Sequence, residues 1–381
     1  MKKAFVLLAV AAGLAACTDD PTTGPIELSR TGVLGPTGAR GFKVMTQNVY
    51  PGAVIEAIMD PLDPRPVPVK AAEVWGKVQY TNFPERAAVL ADKIAADRPH
   101  VIGLQEVPIY RIQDPGDMVA GGSIPAEAVA LDFLQILIDA LDARGVHYVA
   151  VAVHRTTDIE VPVAKLDAQG DPTGFMDIRF TDGDAILVRS DVSYANAVSG
   201  IYQAAIPGGA VGLPTDITRG WDAVDATVGG ITYRFFNTHL EDMSVDVQVG
   251  QAAELLGMIG AESKPVVLTG DFNSDAFTNP TPTYGMLLEG GMSDLWSLAN
   301  PRDPGATCCH VELLDEAVPS YTKRLDLILT RGGLVRNGLF VGNLQASLVG
   351  EKLSDRTPSG LWISDHVGVM ALMTPPIPGA R

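Results

Sequence analysis

Cysteine is nearly absent from this chain, with three residues in 381, at Cys17, Cys308 and Cys309. Setting Cys17 aside leaves one adjacent pair, which bridges only with strain because neighbouring Cα atoms lie closer than the usual disulfide range. A disulfide-built scaffold is therefore excluded. Thr307-Cys308-Cys309-His310 also lacks the further ligands of a closed zinc site, since no second Cys/His cluster accompanies it, and it reads as a packed or loop-ordering pair. Basic residues are scarce too: 28 Lys and Arg stand against 45 Asp and Glu, a net charge of −17. That balance disfavours affinity drawn from broad phosphate neutralisation, in which each contact needs a cationic side chain. It leaves room for one local basic cleft and a bound cation. Internal repeats, coiled-coil heptads and any second long apolar span are missing as well.

What is present begins with Lys2 and Lys3 ahead of an apolar run from Ala4 to Ala16. The run falls short of the about 20 residues a retained spanning helix needs, and it reads as an export signal. Its close, Leu14-Ala15-Ala16-Cys17, resembles a bacterial lipobox in which Cys17 becomes the acylated first residue of the mature protein. An ordinary secretory signal with an incidental cysteine is the alternative. Residues 18–41 are rich in Pro, Thr, Gly and Asp without apolar period, as in a flexible tether.

Periodicity places strands near 43–48, 100–105, 147–154, 183–189, 220–228, 231–238, 265–269, 324–330, 337–342 and 364–373, and helices at 84–97, 126–143 and 245–262. Pro84 opens the first helix and Pro99 closes it; Leu131, Leu134, Ile138 and Leu141 give the second one apolar face. Residues 51–70, 108–125 and 156–178 read as long connections. Many strands with few helices favour two packed sheets flanked by helices over a doubly wound parallel sheet.

The strand ends carry the chemistry. Leu268-Thr269-Gly270-Asp271-Phe272-Asn273-Ser274 runs from a buried strand into Asp and Asn, a pattern that ordinary turn chemistry also produces. Five other segments share its character: Gln47-Asn48, Gln105-Glu106, Asn237-Thr238-His239, Asp326 inside an apolar strand behind Arg324, and Ser364-Asp365-His366. Each has a bland reading as a cap, a turn or a local ion pair. Six together do not, because buried polar groups without shared partners are costly.

These segments resemble the endonuclease/exonuclease/phosphatase superfamily with its deoxyribonuclease-I-like fold. The match rests on Gln47-Asn48, Leu104-Gln105-Glu106, Asn237 to Leu240, Gly270 to Asn273, Arg324 to Asp326 and Ser364 to His366, in the family's order, with Asp184 to Arg189 similar to its central strand. The resemblance implies an α+β fold, a four-layer α/β/β/α sandwich of two packed mixed sheets flanked by helices, over residues 42–374, followed by a tail at 375–381. It also implies metal-dependent hydrolysis of phosphate esters.

Such hydrolysis needs a positioned water, an acceptor for its proton and positive charge for the developing oxyanions. Glu106 is the expected ligand for a hard ion such as Mg²⁺, with Mn²⁺ and Ca²⁺ as alternatives, joined by Asn48 through its amide oxygen and by Asp365. His366 is the expected base or phosphate clamp, with Asp326 fixing its tautomer. Asp271 is expected to orient the water, and Asn273 and His239 to donate to the non-bridging oxygens. A calcineurin-like dinuclear site would need Asp-x-His and Gly-Asn-His segments, which do not occur. Glu241 and Asp242 are expected to be solvated residues at a strand-to-helix turn.

The substrate stays open between nucleic acid and a phospholipid or inositol-phosphate head group. The first would use a basic cleft of Arg179, Arg189, Arg219, Lys323 and Arg324. A catalytically silent surface binding module is the remaining alternative. A monomeric lipoprotein of the bacterial cell envelope, on its periplasmic or outer face and anchored to the membrane through Cys17, is expected.

Overall fold

The computed structural model describes residues 41–210, 215–278 and 280–375. The export signal, Cys17, the tether as far as residue 40 and the end of the tail lie outside the described residues. No helix among the described residues is long and apolar enough to cross a membrane.

Two mixed sheets form the centre. The first has eight strands; its path runs Asn343–Val349, Gly368–Thr374, Phe42–Asn48, Val101–Gln105, Pro172–Arg189, Ile109–Gln113 and Ala128–Asp132, with Tyr148–Leu166 also paired to Pro172–Arg189. The second runs Ser293–Asp294, Asp326–Arg331, Val266–Asp271, Ile231–His239, Gly220–Val228 and Ser193–Ile201. Each contains one parallel pair, Phe42–Asn48 with Val101–Gln105 and Ile231–His239 with Val266–Asp271.

Side-chain alternation along these strands produces four layers. Val44, Val101, Ile186, Phe235, Val267 and Ile328 fill the space between the sheets. Their neighbours Met45, Ile102 and Leu187 turn outward against the helices Val67–Tyr80, Phe83–Asp97 and Phe133–Asp142. Phe236, Leu268 and Leu327 turn outward from the other sheet against Val245–Gly260 and Thr283–Glu289. The two packed sheets flanked by helices that the strand pattern favours, and the α+β four-layer sandwich that the resemblance implies, are the arrangement observed.

The connections differ from expectation. Residues 156–178 are not a loop: Tyr148–Leu166 and Pro172–Arg189 form a long antiparallel ribbon, with Ile159 opposite Phe180 and Val161 opposite Ile178. Its half-exposed strands carry charged residues among the apolar ones, which hid the alternation. The proline-rich stretch near 51–70 opens a helix at Val67, because Pro68 occupies a first-turn position whose N–H needs no partner. The helix expected at 126–143 begins at Phe133, where the Asp132 side chain accepts from the Gln135 N–H, and Ala128–Asp132 before it is a strand. The last strand begins at Gly368 rather than 364, because residues 364–367 are held by the site described next. The strand read at 337–342 is only the second arm of the short hairpin Val335–Arg336 and Leu339–Phe340, and Asn343–Val349 is the sheet strand.

Candidate active site

The positions that point between the sheets change from apolar to polar at one end of the sandwich. Val44 is followed by Thr46 and Asn48, Val101 by Gly103 and Gln105, Phe235 by Asn237 and His239, Val267 by Thr269 and Asp271; Ile328 is preceded by Asp326 and Ile186 by Asp184. A two-residue period thus delivers at least one polar side chain per strand to a shared place. The boundary is a buried network: Gln105 Nε2 donates to Asn237 Oδ1 at 2.6 Å, and Asn237 Nδ2 donates across the sandwich to the Leu104 carbonyl at 2.9 Å. Gly103 allows this approach, since a Cβ there would lie 2.3 Å from Asn237 Oδ1 and 2.4 Å from Thr269 Oγ1. Asn237 is consequently a clamp between sheets. Beyond it opens a cleft of about 480 Å³ lined by Glu106, His239, Asp271, Asn273, Asp365 and His366, among others.

His366 Nδ1 lies 2.8 Å from Asp326 Oδ2 and 3.6 Å from Asp271 Oδ2. Burial disfavours charge on the ring, but Asp326, Asp271 and Asp365 outweigh it and hold the imidazole basicity well above its ordinary range. Asp326 is fully buried, with Thr307 Oγ1 accepting from its N–H at 3.2 Å. Arg324, whose bland reading is an ion pair with Asp326, instead reaches Asp294 Oδ2 at 2.6 Å. Asp271 accepts from Asn48 Nδ2 at 3.0 Å and from the Asn273 N–H at 3.0 Å, and both bonds leave lone pairs for a further donor. Ser364 Oγ donates to the Asn48 carbonyl at 2.7 Å, and His310 N–H donates to the Asp365 carbonyl at 2.8 Å, fixing the loop that carries Asp365 and His366.

Glu106 ends its strand with a left-handed φ of 56°. Burial, then the charges of Asp365 and Asp182, push its carboxyl well above the usual carboxylate range. Neither Glu106 nor Asp365 forms an ion pair with Lys or Arg among the described residues; His239 Nε2 lies 4.0 Å from Glu106 Oε1. Half-buried carboxylates that repel one another and lack a fixed counter-charge fit a divalent cation, and Glu106 and Asp365 offer it oxygen, which suits a hard ion; the Asn48 amide oxygen accepts the Tyr50 N–H at 3.0 Å and keeps one lone pair for such an ion. The Glu106 backbone N–H donates to Asp184 Oδ1 at 3.2 Å. Behind Asp184 lies His154, whose Nδ1 is 3.0 Å from Asp222 Oδ2 and whose Nε2 makes a 3.1 Å charge contact with Asp184 Oδ2 lacking hydrogen-bond geometry. This relay was missed in the sequence. The repeated carboxylates of Asp182-Gly183-Asp184, at the start of an apolar strand segment, were its visible trace.

His239 faces Arg219, whose Nη1 lies 3.2 Å from His239 Nδ1. A guanidinium only donates, so Nδ1 accepts and Nε2 carries the proton toward the cleft. Burial, then the positive charge of Arg219, push His239 well below its ordinary basicity. Arg219 is held by Asp242 Oδ1 at 3.0 Å and Glu241 Oε2 at 3.4 Å. Glu241 is therefore not solvated: it is fully buried, and its Oε1 accepts the N–H groups of Asp242 and Met243 at 3.0 and 2.9 Å, capping the turn before the helix. Only Asp242 is exposed, as expected. Asn273 adopts φ 47° and donates through Nδ2 to the Leu240 carbonyl at 2.9 Å; the same Nδ2 faces His239 Nε2 at 3.1 Å, a donor beside a donor in the tautomer that accepts from Arg219 and therefore a contact rather than a hydrogen bond.

The structure brings Asn48, Glu106, His239, Asp271, Asn273, Asp326, Asp365 and His366 to this end of the sandwich. It does not assemble the basic cleft. Arg219 and Lys323 line the pocket, whereas Arg179 pairs with Asp158, Arg189 with Asp191, and Arg324 with Asp294. Seven carboxylates line the same cleft: Glu56, Glu106, Asp182, Asp242, Asp271, Asp275 and Asp365. Cys308 and Cys309, read as a packed pair, are bonded to one another and also line it. His310 turns away to pair with Glu316 and Tyr321.

No curated protein matches the chain. Among solved structures, it is similar to an endonuclease/exonuclease/phosphatase from Beutenbergia cavernae, at 19% identity and TM-score 0.51, covering 88% of this chain and 72% of that one. It is also similar to an endonuclease/exonuclease/phosphatase family protein from Leptotrichia buccalis, at 16% identity and TM-score 0.50, covering 87% and 98%. At that identity the likeness speaks for the fold alone. The sequence itself matches the Endonuclease/Exonuclease/phosphatase family over residues 74–366, from the middle of the first long helix to the histidine paired with Asp326. With the match spanning most of its length, the chain belongs to that family, whose members are hydrolases of phosphate esters.

Proposed function

We propose that this protein is an exported, metal-dependent phosphodiesterase. The observation that carries the reading is the pairing of two unneutralised, half-buried carboxylates, Glu106 and Asp365, with a strongly basic His366–Asp326 couple in one cleft. Enzymes of the family depend on a divalent metal. Here Glu106, Asp365 and the Asn48 amide oxygen are the residues that would hold it, and Mg²⁺ is the ion they suit best. Bound there, it supplies Lewis acidity to the non-bridging oxygens of the phosphate. Asp271 orients the attacking water through its remaining lone pairs. His366, kept protonated by three carboxylates, clamps a phosphate oxygen from the side that faces the cleft. His239 presents its Nε2–H as a neutral donor, a role that its low basicity favours over proton release.

A second reading concerns the substrate. An apolar groove of about 70 Å³ adjoins the cleft, and Ile55, Met59, Ile159 and Phe180 line both. A phosphodiester with an apolar substituent, as in a phospholipid, would set its phosphate in the cleft and its substituent against this wall. The excess of carboxylates around the cleft argues against a long nucleic-acid track. Anchoring through an acylated Cys17 would suit such a substrate.

The test is turnover of double-stranded DNA, RNA, sphingomyelin and a bis-aryl phosphodiester with Mg²⁺, Mn²⁺ or Ca²⁺, with and without chelator. Chelator-sensitive hydrolysis of at least one is expected; silence on all four contradicts the proposal. Ile159→Glu separates the substrates, since it should raise the KM for sphingomyelin and leave the bis-aryl ester nearly unaffected. Cys17→Ser should release the protein from membranes, and unchanged membrane association removes the anchor.

A further inference from the structure

Cys308 and Cys309 lie against the proposed catalytic histidine. Cys308 forms isolated backbone bridges with both Lys323 and His366, so the turn is pinned on two sides. Cys308 is buried and Cys309 exposed, and both face the cleft. Cys309 Sγ lies 4.0 Å from His366 Nε2, and one ligand atom from each of Cys308, Cys309 and His366 lies within 4.8 Å of the others. His366 Nδ1 is already engaged by Asp326 at 2.8 Å. A carboxylate on one ring nitrogen is the arrangement that orients the other toward a metal.

The two sets of ligands in the cleft differ in kind. Glu106, Asp365 and Asn48 offer oxygen, while Cys308, Cys309 and His366 offer two sulfurs and an imidazole, which favour Zn²⁺ over Mg²⁺. Around a tetrahedral zinc such atoms stand about 3.5–3.8 Å apart, given Zn–S of about 2.3 Å and Zn–N of about 2.0–2.1 Å. The Cys309–His366 separation is within half an ångström of that range. The sulfurs, bonded to one another in this structure, must part.

We propose that Cys308, Cys309 and His366 form a latent soft-metal site that their disulfide keeps closed, and that opening it lets Zn²⁺ capture the catalytic imidazole. Opening takes two electrons from a dithiol, which becomes a cyclic disulfide while Cys308 and Cys309 become thiols. Binding then displaces two thiol protons and the Nε2 proton of the imidazolium to solvent, with His366 Nε2 as third ligand and a water as fourth. In an oxidising compartment the bond stays formed and His366 stays free. Metal capture depends only on the three side chains; inhibition rests on the catalytic role proposed for His366.

The experiment uses the full chain, reduced by a dithiol, desalted without oxygen, and titrated with Co²⁺ as a spectroscopic probe. A thiolate-to-cobalt charge-transfer band saturating at one equivalent and displaced by Zn²⁺ is expected in the reduced protein and not in the oxidised one. The band should vanish in Cys308→Ser/Cys309→Ser, and His366→Ala should weaken binding by about tenfold or more. Absence of the band in reduced protein, whose fold is checked by circular dichroism, overturns the site, as does its survival in the double variant. Affinity unchanged in His366→Ala overturns the histidine ligand. In parallel, one equivalent of Zn²⁺ should abolish hydrolysis by the reduced enzyme only. Binding without inhibition would instead refute the catalytic role of His366.

Discussion

Replacing His154 by Gln removes the cation held between Asp184 and Asp222, two carboxylates on facing sheets. The ring is buried, 3.0 Å from one carboxylate and 3.1 Å from the other. Burial disfavours its charge, but Asp184 and Asp222 outweigh that and raise it to about 10. The folded value thus lies above the unfolded one of about 6.5. The stabilisation is fully present below about pH 6.5 and is lost as pH rises toward 10, at no more than about 1.4 kcal/mol per pH unit. The shift bounds the total at about 5 kcal/mol, matching the about 3–5 kcal/mol lost when one partner of a buried pair is removed. Urea unfolding of the parent and His154→Gln between pH 6 and pH 9.5 measures it. We expect the variant to be about 3–5 kcal/mol less stable at pH 6, with the gap narrowing steadily as pH rises. A gap independent of pH, or smaller than about 1 kcal/mol, would refute the reasoning. Since Asp184 also accepts the Glu106 N–H at 3.2 Å, folded variant should show a lower kcat as well.

Gly103→Ala would drive a methyl group to 2.3 Å from Asn237 Oδ1 and 2.4 Å from Thr269 Oγ1, so a loss of about 1–3 kcal/mol or more is expected; an unchanged urea midpoint would show that the sheets do not approach there. Arg86 is fully buried and donates to the carbonyls of Thr81, Val49, Tyr50 and Ile363 at 2.7, 2.7, 3.0 and 2.9 Å. Arg86→Met leaves these acceptors unpaired, for a loss of at least about 3 kcal/mol. It should also depress turnover, because Val49 and Ile363 adjoin Asn48 and the Ser364–Asp365 turn. Normal turnover in a destabilised Arg86→Met would show that those loops are positioned by other contacts.

Much of the site was legible because side chains alternate. Thr46 and Asn48, Thr269 and Asp271, and Asn237 and His239 continue the apolar inward positions of their strands, so polarity at a strand end announced a shared pocket. The relay through His154 was not legible, since it joins residues of three strands through a charge contact that no local pattern records. Arg219 could be named as a basic residue but not placed, because its partner Glu241 is buried by tertiary packing at a position that reads as a solvated turn. Arg179, Arg189 and Arg324 had the charge for a basic cleft and are spent on local ion pairs. The ribbon at Tyr148–Leu166 and Pro172–Arg189 was hidden by half-exposure, which mixes charged residues into both faces, whereas the fully buried strands stood out as apolar runs.

The most direct measurement is hydrolysis of a bis-aryl phosphodiester by the parent, Glu106→Ala and His366→Ala, each with saturating Mg²⁺ and again after chelation. The account predicts turnover by the parent that chelation abolishes and Mg²⁺ restores, and losses of about a hundredfold or more in both variants, the scale on which a fixed electrostatic contact to the transition state acts. Parent-like rates in either variant, or parent turnover indifferent to chelation, would contradict it.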